Sequence, residues 1–173
     1  MKIGFCGTMS VGKTTLVNAL KELPEFKDYT FRTERSKHLM EMGIPLNMDS
    51  TLKGQLIFAS ERASELMCEN IITDRTVIDV MAFASLSKSM ETGHKHYLNA
   101  TLSYLIKEYD YLFYVSPIGV KIEDNGIRET DTEYRNAIDE KIKSLVQMHR
   151  GNTVIIKGSV EERIKQIQQT ISL

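Results

Sequence analysis

The chain has 173 residues, 42% of them hydrophobic and 26% charged, with 22 basic residues against 23 acidic ones and a formal net charge of −1. A chain of this length buries enough surface to fold without a staple, and its apolar content excludes a disordered or fibrous protein. The near-neutral balance gives no electrostatic case for non-specific binding to nucleic acid or to an acidic membrane, while leaving room for a local basic pocket around a phosphate.

Short apolar runs alternate with longer helical patterns. Residues 2–6 read as a strand, 13–23 as a helix stopped by Pro24, and 29–32 as a short β-branched and aromatic run. Residues 33–42 look helical and stop at Gly43. Residues 50–69 carry Leu52, Leu56, Ala59, Ala63, Leu66 and Met67 at helical spacing, an apolar stripe expected to face a core. A strand follows at 70–73, then helices at 76–90 and 95–109. Residues 110–116 contain Tyr111-Leu112-Phe113-Tyr114-Val115, apolar on both faces, as in a strand covered from both sides in a parallel sheet. A helix at 131–149, a strand at 153–157 and a helix at 159–171 complete the chain. Five strands alternating with helices imply a three-layer α/β sandwich. Pro24, Pro45 and Pro117 fall between periodic segments and no repeat or linker interrupts them, so a single domain over 1–173 is expected. Cys6 and Cys68 sit in apolar stretches without metal-ligand spacing and are expected to be buried, reduced thiols of a cytoplasmic protein. The N-terminal apolar run is too short for a signal peptide, and no window approaches the ~20 apolar residues of a membrane span.

The run Gly7-Thr8-Met9-Ser10-Val11-Gly12-Lys13-Thr14 matches the phosphate-binding P-loop at every fixed position, after a strand and opening a helix. Glycines let the backbone wrap a phosphate without a clashing Cβ, and consecutive amides then point at the anion. The helix that starts near Lys13 adds the positive end of its dipole. The expected nucleotide contacts are Gly7, Ser10, Val11, Gly12, Lys13, Thr14 and the adjoining Thr15. Lys13 is placed for the β- and γ-phosphates of ATP, and the Thr14 hydroxyl for Mg²⁺.

Three further segments carry candidates. Ile71-Ile72-Thr73 ends in Asp74-Arg75, a carboxylate at the edge of a buried strand where nucleotide-binding sheets hold Mg²⁺, beside an Arg suited to a phosphate. A bland alternative makes Asp74 a helix cap and Arg75 a surface ion pair. In Thr33-Glu34-Arg35, Glu34 can accept the proton of an attacking hydroxyl or merely complement a helix dipole. Lys121 to Arg128, followed by Arg135, forms a polar segment that can close over phosphates, with Arg128 or Arg135 stabilising transition-state charge, or can be an ordinary solvated turn. His94-Lys95-His96 reads as an exposed loop rather than a metal site.

These segments, together with Asp74-Arg75-Thr76, Asp79, Ala82-Phe83, Asp124-Asn125-Gly126-Ile127-Arg128 and the tail Lys157 to Arg163, resemble the P-loop kinase-like AAA family that includes the nicotinamide riboside kinase domain. That family is related to thymidylate kinase and the deoxynucleoside kinases. The resemblance implies a five-stranded parallel sheet in the order 2-3-1-4-5 with helices on both faces. It also implies Asp74 as a Mg²⁺ or catalytic carboxylate, Arg75 as a phosphate-binding residue, Glu34 as the base, Gly126 to Arg128 as part of a lid, and Gly158 to Val160 near the adenine of ATP. The expected activity is ATP- and Mg²⁺-dependent phosphoryl transfer to a nucleoside, a (deoxy)nucleoside monophosphate or a similar small acceptor. The rivals are a nucleotide-dependent ATPase or switch, and a kinase acting on a modified base in DNA. Gln55 and Phe58 can contact a base or be ordinary helix residues, and Arg32, Arg35, Arg62 and Arg75 are candidates for an acceptor phosphate. The oligomeric state is left open, a homodimer included.

Overall fold

The computed structural model describes residues 1–33, 35–118, 132–149, 151 and 153–172. Strands β1 (Lys2–Cys6), β2 (Thr30–Arg32), β3 (Ile71–Asp74), β4 (Tyr111–Val115) and β5 (Thr153–Ile156) form one parallel sheet in the order β2-β3-β1-β4-β5. The helices are α1 (Lys13–Lys21), α2 (Ser36–Glu41), α3 (Leu52–Glu65), α4 (Val77–Leu86), α5 (Thr92–Leu105), α6 (Thr132–Met148) and α7 (Val160–Ile171). Both the order and the layering are those expected.

Successive strand residues point to opposite faces, and that alternation makes the three layers. Ile3, Phe5, Phe113 and Val115 go to one side, where α1 and α7 cover them with Leu16, Val17, Leu20, Ile167 and Ile171. Cys6, Leu112 and Tyr114 go to the other, against Ile78 of α4, Leu98 of α5, and Ile138 and Ile142 of α6. Phe5 and Phe113 face each other across the β1–β4 pairing and stack with ring centroids 5.4 Å apart. Cys6 and Cys68 are both free; Cys6 is buried, where desolvation pushes its thiol up, but Cys68 is only half-buried.

Several boundaries differ from expectation. The helix expected from Thr33 begins only at Ser36, and the one expected from Lys95 begins at Thr92 and ends in a 3-10 turn over Ile106–Glu108. The largest departure is the orientation of α3. Leu56 and Met67 of the expected apolar stripe are 41% and 84% exposed, while Gln55, Ala59, Arg62 and Glu65 are buried. Ala59 and Leu66 of the stripe do enter the core, with Leu52 packed against it, and beside them the helix buries Arg62 and Glu65, which bond each other.

In a parallel sheet all strands end at one edge, and ligands bind beyond that edge where the connections change direction. Here the chain leaves β1 for β2 and β3 on one side and then crosses to β4 on the other. The register sets Phe5 opposite Asp74 on one neighbour and Cys6 opposite Tyr114 on the other. The loop after Cys6 therefore emerges at the switch point, beside Asp74.

Candidate active site

The turn from β1 into α1 uses backbone conformations that restrict its sequence. Gly7 has φ 155° and Gly12 φ 81°. A Cβ on Gly7 would meet the Val115 carbonyl oxygen at 2.8 Å, and one on Gly12 would lie 3.3 Å from Arg163 Nη1. Ser10 adopts φ 56° without being glycine, a left-handed conformation that costs of order 1–3 kcal/mol and clusters at ligand sites. Lys13 is buried, and its Nζ donates to the carbonyls of Gly7 and Thr8, each at 2.7 Å. Gly12 stands at the cap position of α1 and brings no side chain to its first N–H groups, so that helix end is open to an anion. Thr15, the residue after the motif, is exposed.

Asp74 is buried at the end of β3, and its Oδ2 accepts from the Thr14 hydroxyl. A carboxylate and a hydroxyl in contact are hard oxygen donors of the kind Mg²⁺ takes when it keeps several waters or substrate oxygens. Among the described residues no group of three or more His, Cys, Asp or Glu is gathered for a metal. The Thr14–Asp74 pair suits a Mg²⁺ that arrives with a polyphosphate. His94 and His96 are exposed on the first turns of α5.

Arg75 follows with φ 117°, a second non-glycine outlier. Its N–H continues the ladder by donating to the Phe5 carbonyl at 3.1 Å, and its guanidinium lies 5.0 Å from the centroid of the Phe83 ring. The side chain lines a narrow cavity of about 40 Å³ together with Gln55, Phe58, Arg62, Asp79 and Phe83. Gln55 is buried there, and its Oε1 has no hydrogen-bond partner among the described residues. Arg62 is 2% exposed and bonds Glu65 at 2.6 Å, with Glu61 at 3.7 Å. Burial raises the Glu65 carboxyl above its usual range, against the pull of Arg62. Arg35 bonds Glu61 at 3.2 Å at the surface, and Arg32 is exposed on β2.

Asp79 has a larger part than its place in the sequence suggests. Its Oδ2 accepts from the N–H and hydroxyl of Thr76 at 2.8 and 3.0 Å, closing a capping box at the start of α4. Its Oδ1 accepts from the Gly7 N–H at 3.2 Å. One buried carboxylate thereby ties the first residue of the phosphate loop to α4 and lines the adjacent cavity. Spacing alone marks Asp79 as a capping-box partner, since it stands three residues after Thr76; the bond to Gly7 has no local signal.

The far side of the loop is held by α6 and α7. Arg135 Nε donates to the Met9 carbonyl at 3.3 Å, and the Thr8 hydroxyl donates to the Arg135 carbonyl at 2.9 Å. Arg163 Nη1 donates to the Val11 carbonyl at 2.7 Å. Gly158 lines an open cleft with Ile118, Lys157, Glu162, Lys165 and Gln166, whereas Val160 packs against the core under α7. Glu34, Arg128 and the whole candidate lid at 121–128 lie outside the described residues. Lys13, Thr14, Asp74 and the loop glycines are therefore brought together, with Arg75 beside them and Gly158 in a separate cleft. No described helix is long and apolar enough to cross a membrane.

A family model described as an AAA domain matches residues 2–163. Among solved structures, NadR in complex with NR aligns with a TM-score of 0.74 at 17% identity, covering 99% of this chain and 51% of NadR. This chain thus spans about half the length of NadR. Deoxyadenosine kinase from M. mycoides, with products dCMP and dCDP bound, aligns with a TM-score of 0.67 at 16% identity over 99% of this chain and 98% of the kinase. The same kinase with bound dATP aligns at 0.68 and 16% identity over the whole of both chains. At such identities the likeness is one of fold. A comparison with curated proteins returns no match.

Proposed function

This chain belongs to the AAA domain family, and from that premise we propose that it transfers the γ-phosphoryl group of ATP, with Mg²⁺, to a small acceptor, a nucleoside or a (deoxy)nucleoside monophosphate. The observation that carries this reading over an ATPase or a switch is the cavity of Gln55, Phe58 and Phe83 next to the phosphate loop. Water as acceptor needs no such cavity. A planar acceptor would have to widen the roughly 40 Å³ present by displacing lining side chains, and it would find there two aromatic rings and a buried amide oxygen without a partner among the described residues.

Phosphoryl transfer needs positioning and charge stabilisation more than covalent help. The amides of Gly7 to Gly12 and the open end of α1 receive the phosphates. Lys13 supplies a point charge after exchanging its two backbone carbonyls for phosphate oxygens. Thr14 and Asp74 hold Mg²⁺, which when bound neutralises charge on the β- and γ-oxygens. Arg75, whose guanidinium lies over Phe83 in the cavity lining, serves a phosphate of the donor or the acceptor. Glu34 serves as the base for an acceptor hydroxyl, Arg128 as the lid cation, and the Gly158 cleft takes the adenine. M. mycoides deoxyadenosine kinase and NadR, whose fold this chain shares, carry in their names a nucleoside kinase and a complex with NR, and nucleosides are accordingly the first acceptors to try.

The test is label transfer from ATP and Mg²⁺ to a panel of nucleosides, their monophosphates and nicotinamide riboside, read by product separation. Label should appear in one acceptor class. Label released only as free phosphate, at one rate with and without acceptors, would make the protein an ATPase. A thermal-shift screen ranks acceptors beforehand, since a ligand at 100 times its Kd adds about 2.7 kcal/mol.

A further inference from the structure

Arg163 stands on α7 and is 3% exposed. A guanidinium this deep usually faces a carboxylate. Among the described residues Arg163 faces none within ion-pair distance. Its Nη1 donates to the Val11 carbonyl at 2.7 Å, its Nη2 to the Ser116 carbonyl at 3.4 Å, and its Nε has no partner among the described residues. One side chain thus joins the phosphate loop to the end of β4, across the switch point of the sheet. A Cβ on Gly12 would come within 3.3 Å of the same guanidinium, so the arginine lies directly against the loop.

Two consequences follow for the loop. A peptide unit is planar and trans, so a carbonyl held toward α7 turns the next N–H the opposite way. Holding Val11 C=O fixes the Gly12 N–H away from α7, into the loop. The second is electrostatic: a buried cation answered only by carbonyl dipoles gains most when an anion enters the loop in front of it.

We infer that Arg163 is a positioning residue for phosphate binding: it sets the Val11–Gly12 peptide so that the Gly12 N–H faces the phosphates, and it backs the loop with a positive charge that those phosphates complete. The first turns of α7 also line the Gly158 cleft through Glu162, Lys165 and Gln166. One helix therefore carries the proposed base site and the brace of the phosphate site. The inference rests on the reading above that this loop binds nucleotide phosphates.

The experiment is titration calorimetry of Mg-ADP and of Mg-pyrophosphate with the wild type, Arg163→Met and Arg163→Lys, below each protein's melting temperature. Pyrophosphate reports the loop without the base. Arg163→Met should weaken both probes about 10- to 100-fold, the size of one hydrogen bond to a charged group. Arg163→Lys keeps the charge but not the two-pronged fork, and should weaken them about three- to tenfold. A merely structural arginine would lower the melting temperature and leave both Kd values of the folded protein unchanged, which overturns the inference. If Arg163→Met does not fold, the lysine variant decides, and pyrophosphate affinity equal to wild type overturns the inference. A wild type that binds neither probe overturns the nucleotide reading, and the inference falls with it.

Discussion

Asp79→Asn tests whether the phosphate loop is held from α4. The carboxylate accepts three hydrogen bonds, from Gly7 N–H at 3.2 Å and from the Thr76 N–H and hydroxyl at 2.8 and 3.0 Å, and it is 1% exposed. Asparagine keeps the size but has one accepting atom. The cheapest rotamer leaves its oxygen on Thr76 and turns its NH₂ toward the Gly7 N–H, donor against donor. One charge-assisted hydrogen bond is lost and a buried N–H is left unpaired, together about 3 kcal/mol. At about 2–4 °C per kcal/mol for a chain of this size, the melting temperature should drop about 6–12 °C. The control is Thr76→Val, which removes the hydroxyl that accepts from Ile78 N–H at 3.2 Å and donates to Asp79 Oδ2 at 3.0 Å, but leaves the Asp79–Gly7 bond in place. It should cost about 1 kcal/mol, the usual worth of a cap, with unchanged Mg-ADP affinity. Asp79→Asn should lose both stability and affinity. Thermal melts and calorimetric titration read the two quantities. Melting of Asp79→Asn within about 1 °C of wild type, or lost affinity in Thr76→Val of equal size, would refute the argued link.

Three further changes probe the proposed chemistry. Lys13→Ala should keep the far-ultraviolet circular dichroism of the wild type and lower the phosphoryl-transfer rate about 10²–10³-fold; near-normal turnover would overturn the P-loop assignment. Asp74→Asn should reduce Mg²⁺-dependent turnover far more than ATP binding, because the amide keeps the Thr14 contact and loses the charge; a collapse of ATP affinity with turnover intact would assign Asp74 another role. Glu34→Gln should lower transfer to a hydroxyl acceptor about 10²–10⁴-fold with ATP binding nearly unchanged, and side-by-side assays of transfer and acceptor-free hydrolysis decide it, since an equal fall in both points to water as the acceptor.

The fold was legible because its signals are local. A five-residue apolar run without alternation and rich in aromatic residues, such as 111–115, is too short for a helix and fits a strand covered on both faces, and the alternation with helices leaves few topologies. The P-loop was legible for the same reason, since its strand, glycines and helix start are contiguous. The face of α3 was not, because hydrophobic periodicity assumes that the neighbour is apolar. Ala59 and Leu66 of the expected stripe are buried, but so are Gln55, Arg62 and Glu65, the last two bonded to each other, while Leu56 and Met67 are exposed.

The contacts that hold the loop join residues far apart in the chain, and the signal that marks them is weaker but present. Arg163 stands on the stripe of Ile167 and Ile171, at spacings of four and eight, and Arg135 on that of Ile138, Ile142 and Leu145. Arg62 likewise falls between Ala59 and Leu66. A charged side chain at a position where the helix period calls for an apolar one is costly to bury, and burial has to be repaid by specific partners. For Arg62 the partner is a carboxylate on its own helix, which concerns the cavity. Arg135 Nε and Arg163 Nη1 each reach a carbonyl of the phosphate loop itself, those of Met9 and Val11. The cost differs with the partner, because a carbonyl dipole answers a buried cation less completely than a carboxylate does. Arg163, which leans on the loop and faces no carboxylate among the described residues, is therefore the one that gains when an anion binds there, whereas Arg62, already matched by Glu65, shapes the adjoining cavity without drawing charge into it.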